Sequence, residues 1–160
     1  MTQQLTTDQV WQDIEKELFA VIGMVTAKGE ARTAGIVYIV RDRKLYISSG
    51  KEAWKVRHVE GNPNVSLTIP IAKRIPIMPW IKIPAATITF SGTARLMITV
   101  DASPALLRAV FHTMADDQEV LASTILIEVT PKDDFVTYGV GIPLKEMRPP
   151  EKARGRSPVN

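Results

Sequence analysis

Residues 32–69 limit the fold of this chain more than any other stretch, because they read as strand, charged turn, strand, short helix, stop and strand in succession. Residues 32–40 (RTAGIVYIV) place Val, Ile and Tyr at both parities, as expected of a strand buried on both faces. Residues 41–44 (RDRK) make a polar hairpin turn, and residues 45–48 return antiparallel. Ser49, Gly50, Lys51 and Glu52 have the spacing of a capping box, with the Ser49 hydroxyl accepting from an orphan backbone N–H and Glu52 reaching back to the cap. Gly61 followed by Asn62 and Pro63 is a matching stop. The pattern predicts a helix of about three turns that starts where a strand ends.

A helix N-terminus offers free N–H groups and a partial positive charge, which suits a phosphate. On this reading Lys51 lies in the first turn, where a cation opposes the helix dipole, and Lys55 follows one turn later on the same face. A phosphate between the two ammonium groups would relieve both penalties, and Ser48, Ser49 and Arg32 would converge on the same point. The alternative is a pair of solvated lysines pointing apart.

The flanking segments point to a small β-rich domain. Thr6 with Gln9 forms another capping box, followed at helical spacing by Val10, Trp11, Ile14, Leu18 and Val21. The β-branched content rises over residues 20–27, and Lys28-Gly29-Glu30 turns the chain into the central strand. Residues 65–69 form the next strand. Residues 86–96 alternate as another, with Gly92 marking a bulge or a close approach. Ser103 and Pro104 open a helix whose buried stripe is Leu106, Leu107, Val110, Phe111 and Met114. The last strands are residues 124–130 and 135–140, joined by a turn at 131–134.

Together these give a mainly β fold: a closed antiparallel barrel of about six or seven strands with peripheral helices. One domain is expected over residues 1–142, followed by a basic tail at 143–160, extended or disordered.

Between these strands lies residues 70–86, where Pro70, Pro76, Pro79 and Pro84 forbid a regular helix or central strand. Yet Ile71, Ile75, Ile77, Met78, Trp80, Ile81 and Ile83 make it too apolar for a solvated loop. It is expected to cover an apolar surface: its own barrel, a partner subunit, a ligand or a membrane surface. Lys73, Arg74 and Lys82 would suit an anionic ligand.

Composition narrows the chemistry by exclusion. With no cysteine, disulfides, thiolate catalysis and cysteine-based metal sites are excluded. His58 and His112 are the only histidines and neither has a carboxylate at ligand spacing, so no metal site is predicted. No Gly-x-Ser-x-Gly elbow, dinucleotide fingerprint or P-loop is present. A net charge of +3, much of it in the 41–44 turn and the tail, is too thin to argue nucleic-acid binding. The polar start MTQQLTTDQV lacks signal-peptide character, and no apolar run approaches the ~20 residues that span a bilayer. A cytoplasmic protein without a membrane span is expected. What remains is a chain that binds a phosphorylated cofactor and leaves the chemistry to it.

The order of an Arg-led strand (Arg32), a return strand ending in hydroxyl residues (Ser48, Ser49), a helix bearing Trp54 and Lys55, then Asn62-Pro63 and a strand at Val65-Ser66-Leu67, resembles the pyridoxamine 5′-phosphate oxidase-like FMN-binding split barrels. The resemblance extends over residues 20–141. It implies FMN as cofactor, with Arg32 and Lys55 on its phosphate and Trp54 beside them. Thr33, Ala34, Gly35, Ile36 and Val37 would run along the flavin, and Ser48 and Ser49 would hydrogen-bond the phosphate or ring. Thr87 falls where many relatives place a glutamine against the ring.

It does not imply the vitamin B6 oxidase itself. The helix reading LLRAVFHTMADD and the end reading EKARGRSPVN lack the Tyr/Arg/Ser and Arg-Leu-His patterns that grip the vitamer. The expected function is therefore a flavoprotein oxidoreductase acting on a small molecule, with no catalytic side chain assigned. The alternatives are a deazaflavin- or haem-binding barrel and a non-enzymatic flavin-binding dimer. A homodimer is expected, because the apolar residues of 32–40 and 70–86 exceed what one small barrel can bury, and Trp80 is the residue expected to reach across.

Overall fold

The structure is a computed structural model that describes residues 5–75, 77, 78, 80, 81, 83, 85–147 and 149–160. The sequence expectations for Pro76, Pro79, Lys82 and Pro84 fall outside the described residues. Thr6 caps α1 (Thr7–Lys16) through the reciprocal bonds with Gln9 that the sequence predicts, and Val10, Trp11 and Ile14 are buried. Leu18 and Val21 lie beyond the end of this helix, and Leu18 is exposed.

The strands are β1 (Phe19–Val25), β2 (Ala31–Val37), β3 (Ile39–Arg41), β4 (Lys44–Gly50), β5 (Asn64–Ile71), β6 (Ala86–Ile98), β7 (Thr124–Tyr138) and β8 (Arg154–Pro158). They form one antiparallel sheet in the order β2-β1-β5-β6-β7-β4-β3, with β8 added on β7. β2 and β3 are the two ends of this path yet are separated in the chain only by the buried Tyr38, so the sheet curls round into a half-barrel. Inside it pack Ile22, Leu45, Ile47, Leu67, Ile88 and Phe135. Phe135 sits edge-on to both Trp11 and Phe90, with ring centroids 5.3 Å away in each case.

The other α-helices among the described residues are α2 (Trp54–Gly61), α3 (Pro104–Phe111), α4 (Gln118–Ser123) and the single turn α5 (Pro150–Ala153). α3 starts as its sequence dictates, with Ser103 accepting from the N–H of Leu106 and Pro104 at the first position. α3 and α4 lie over the outer side of the β4–β7 strands, where Leu106, Phe111, Ala115, Tyr46 and Leu126 form a second, smaller core. Met114 is exposed and contributes nothing to it.

Several expectations are corrected by longer-range pairing. Residues 32–40 are not one strand buried on both faces. They divide into β2, which pairs only with β1 and exposes most of its residues, and the short β3. The predicted Ser49 capping box does not form, because Ser49 stays in β4 opposite Ile125 of β7 and the strand ladder outcompetes the cap. Consequently α2 begins only at Trp54 and is eight residues long. Pro131 to Asp134 is not a hairpin turn either. β7 runs through it as one fifteen-residue strand with an irregular register, Thr89 opposing Val136 and Ser91 opposing Lys132. Asp133, at φ 64, takes up the extra length. Gly92 marks the close approach rather than the bulge, since a Cβ there would lie 2.8 Å from Val129 Cγ1.

The segment expected to be an extended or disordered tail docks on the barrel. β8 pairs with β7 over residues 134–138, Ala153, Ser157 and Val159 are buried, and the Trp11 indole donates to the carbonyl of Val159 at 3.2 Å. Sparse apolar residues among charged ones gave no periodic signal for this strand.

Candidate functional site

α2 closes one side of the half-barrel, burying Val56 and Val59 in its core. Its N-cap is Ala53, which has no side-chain acceptor, and its first turn carries no acidic residue. The first-turn N–H groups are thus left without a side-chain cap, and Lys55 stands among them. Trp54 is exposed for 42% of its surface and meets His58 edge-on at 5.4 Å. Just upstream, the buried Ser49 hydroxyl makes only a long contact to the carbonyl of Gly50, at 3.4 Å, while Ser48 faces outward.

The other expected residues are placed on separate elements. Arg32 and Thr33 of β2 line a cleft of about 370 Å³ together with Ser66, Ser91, Asn64 and Lys132. Arg32 is already paired with Glu30 at 2.7 Å, and Lys132 donates to Asn64 Oδ1 at 3.0 Å. Lys132 had no place in the sequence-based site; in the structure it lies opposite Ser91 of β6, next to the irregular register between β6 and β7. Ala34 and Ile36 point towards the core, whereas Gly35 and Val37 face out. The ring of Phe19 lies across Gly35, where a Cβ would come within 2.9 Å of it. Thr87 stands in β6 between Pro70 and Tyr138. Lys51 precedes α2 instead of opening it, and lines a different cleft beside α3 and α4.

Sequence reasoning missed one charged cluster. Glu128, only 5% exposed, accepts from the Tyr46 hydroxyl at 2.9 Å and from both Nε and Nη2 of Arg95 at 3.2 Å, with Lys44 Nζ 3.3 Å away. Burial alone would raise the Glu128 carboxyl, but the hydrogen bonds from Arg95 and Tyr46 and the Lys44 charge outweigh it and hold it below its ordinary value. The Tyr46 phenol is pushed up to about 12, chiefly by burial and then by Glu128. A lone Glu inside the apolar run 125–129 (ILIEV) was the available signal, since a buried carboxylate requires partners. The cluster adjoins the second core through Tyr46 and ties β4, β7 and β6 to one another.

An antiparallel half-barrel with helices on its rim is the split-barrel architecture. The family described as pyridoxamine 5′-phosphate oxidase matches residues 6–135, and this chain belongs to it. Among solved structures of similar fold is General Stress Protein 26 of Bacillus anthracis, at 17% identity over 82% of this chain and 92% of that one, with a TM-score of 0.61. HutZ, the haem storage protein of Vibrio cholerae, is 15% identical over 84% and 96% of the two chains, with a TM-score of 0.63. An F420 reductase is 16% identical over 78% and 94%, with a TM-score of 0.53. No curated protein matches the chain.

Proposed function

We propose that this chain is a homodimeric flavoprotein that binds FMN and serves as an oxidoreductase for a small molecule. The observation that carries the reading is the start of α2, where first-turn N–H groups without a side-chain cap meet the cation of Lys55 within the matched family region. There Lys55 would hold the phosphate, with the poorly satisfied Ser49 hydroxyl and the exposed Ser48 as further donors. Arg32 would join them by exchanging Glu30 for the phosphate, and Trp54 would cover the group from outside. Thr33 to Val37 of β2 would present backbone groups to the ring, beside the apolar surface of Phe19 and Val37, with Thr87 further along the barrel. Bound flavin supplies the reversible acceptance of a hydride or of electrons. The residues of this chain bind it, orient it and keep water from it.

Dimerisation is supported by apolar side chains that one chain leaves uncovered. Val37 is 66% exposed, Phe19 47%, Ile77 85% and Trp80 75%. A second copy would cover the same patch on each partner by two-fold symmetry.

Replacing Lys55 by Ala should weaken FMN binding on the order of 10- to 100-fold, the worth of a charge-assisted phosphate contact. Lys152→Ala, on the exposed face of α5, is the control and should leave affinity unchanged. Equal affinities of the two variants in fluorescence titration would remove Lys55 from the site. The visible spectrum of protein purified from its native host tests the cofactor itself, since a deazaflavin or haem band in place of flavin bands would reassign it.

A further inference from the structure

We propose that the cleft between the 3-10 turn at Thr99–Asp101, α3 and α4 binds a small carboxylate with an apolar body, and that Lys51 supplies the charge that selects it. The cleft holds about 300 Å³, which at roughly 30 Å³ per heavy atom is room for about ten. Its walls are apolar: Ile98, Val100, Ala102, Leu107, Leu121 and Ala122. Two of these side chains are left open to water, Ile98 at 46% and Val100 at 83% exposure, although helices lie close enough to have covered them. Of the polar groups on the wall, the Thr99 hydroxyl is already spent on the carbonyl of Leu121 at 2.8 Å. That leaves Gln118 and Lys51 as the other polar residues lining the cleft.

Lys51 is the group that decides the ligand's chemistry. Its backbone N–H donates to the carbonyl of Ser123 at 3.1 Å, which ties its position to the end of α4. No carboxylate among the described residues pairs with its side chain, and none lines the cleft. An apolar pocket with one unpaired cation at its edge favours a monoanion whose charge sits at one end of an apolar body. It disfavours amines, which would meet a like charge. A phosphate cofactor would gain little from the apolar wall.

Octanoate, octanol and octylamine share one chain and differ in head-group charge, so isothermal titration of the full-length protein with the three separates wall from charge. Octanoate should bind saturably at one site, octanol about tenfold more weakly, and octylamine not measurably. In Lys51→Met, octanoate should fall to the level of octanol while octanol is unchanged. In Ala122→Phe, which fills the cleft from the exposed side of α4, both should be lost while thermal unfolding stays put. None of the residues lining the cleft holds FMN in the function proposed above, so octanoate should bind equally with and without saturating FMN, even if the protein took no FMN at all. Equal binding of octanoate and octanol, an unaltered octanoate affinity in Lys51→Met, the absence of any saturable binding, or displacement of octanoate by FMN would each overturn the proposal.

Discussion

The outer face of the sheet has two halves built from the same strands and finished differently. Along β6 the odd residues point outward from end to end. Near its C-terminal end, Arg95 and Met97 meet Glu128, Leu126 and the α3–α4 layer, so the chain covers its own surface there. Near its N-terminal end, Thr87 and Thr89 sit beside Val136, Thr68 and Val21, which are half-buried except for Val136 at 37% exposure. The two halves teach that the same strands can be finished by a packed helical layer at one end and by small hydroxyl residues at the other. The first half is finished by burial and a neutralised carboxylate. The second ends in small hydroxyl residues, glycine and exposed Val and Phe, a surface flat enough to receive a partner.

The largest expected difference between the halves is in stability. Leu126 is fully buried under α3, so Leu126→Ala should cost about 2–5 kcal/mol. Val136→Ala, on the uncovered half, should stay within about 0.5 kcal/mol in dilute protein. Urea unfolding of both variants checks this, and similar losses would mean that the uncovered half is packed in the single chain.

A smaller effect is expected from the charge cluster. Glu128→Ala leaves the buried Tyr46 hydroxyl without its acceptor, at about 1–3 kcal/mol. Because the native Glu128 carboxyl is held below its ordinary value of 4.5, its contribution is present in full above that value and is lost as pH falls through the lower native one. Unfolding free energy followed from pH 7 downward should therefore fall more steeply in the parent than in Glu128→Ala. Parallel curves would show that the cluster carries no linked proton.

The smallest effect on stability should accompany the largest on assembly. Val37→Asp introduces a charge on the exposed side of the edge strand β2, where water already reaches it, and should change monomer stability by about 0.5 kcal/mol or less. In a symmetric dimer it would place two like charges on the shared face, so the variant should sediment as a monomer at concentrations where the parent is paired. An unchanged association state would place the interface elsewhere.

What the sequence made legible were signals confined to a few residues. The Thr6–Gln9 capping box, the Ser103-Pro104 start, the Asn62-Pro63 stop and the Asp42-Arg43 turn, with both φ values positive, all sit where their local chemistry puts them. The family pattern of residues 32–67 carried the barrel with it. What was not legible depended on pairing across the chain. Ser49 has the composition of a cap but is held in a ladder to Ile125, 76 residues later by number (125 − 49), and no local pattern reports that competition. Glu128 finds Tyr46 82 residues away, and Arg32 shares a cleft with Lys132 although three strands stand between theirs in the sheet order. The candidate site shares this limit: its residue types were readable, whereas the exit of Lys51 from the helix start was fixed by where β4 stops.

Sedimentation of FMN-loaded protein, followed both at the flavin's visible band and in the ultraviolet, tests most directly whether the uncovered half is completed by a second copy around the cofactor. Flavin absorbance should travel with a species of twice the 17.7 kDa chain, and should fall away together with that species on dilution. Flavin that travels with a single 17.7 kDa chain, or a dimer that forms without taking up any flavin, would contradict it.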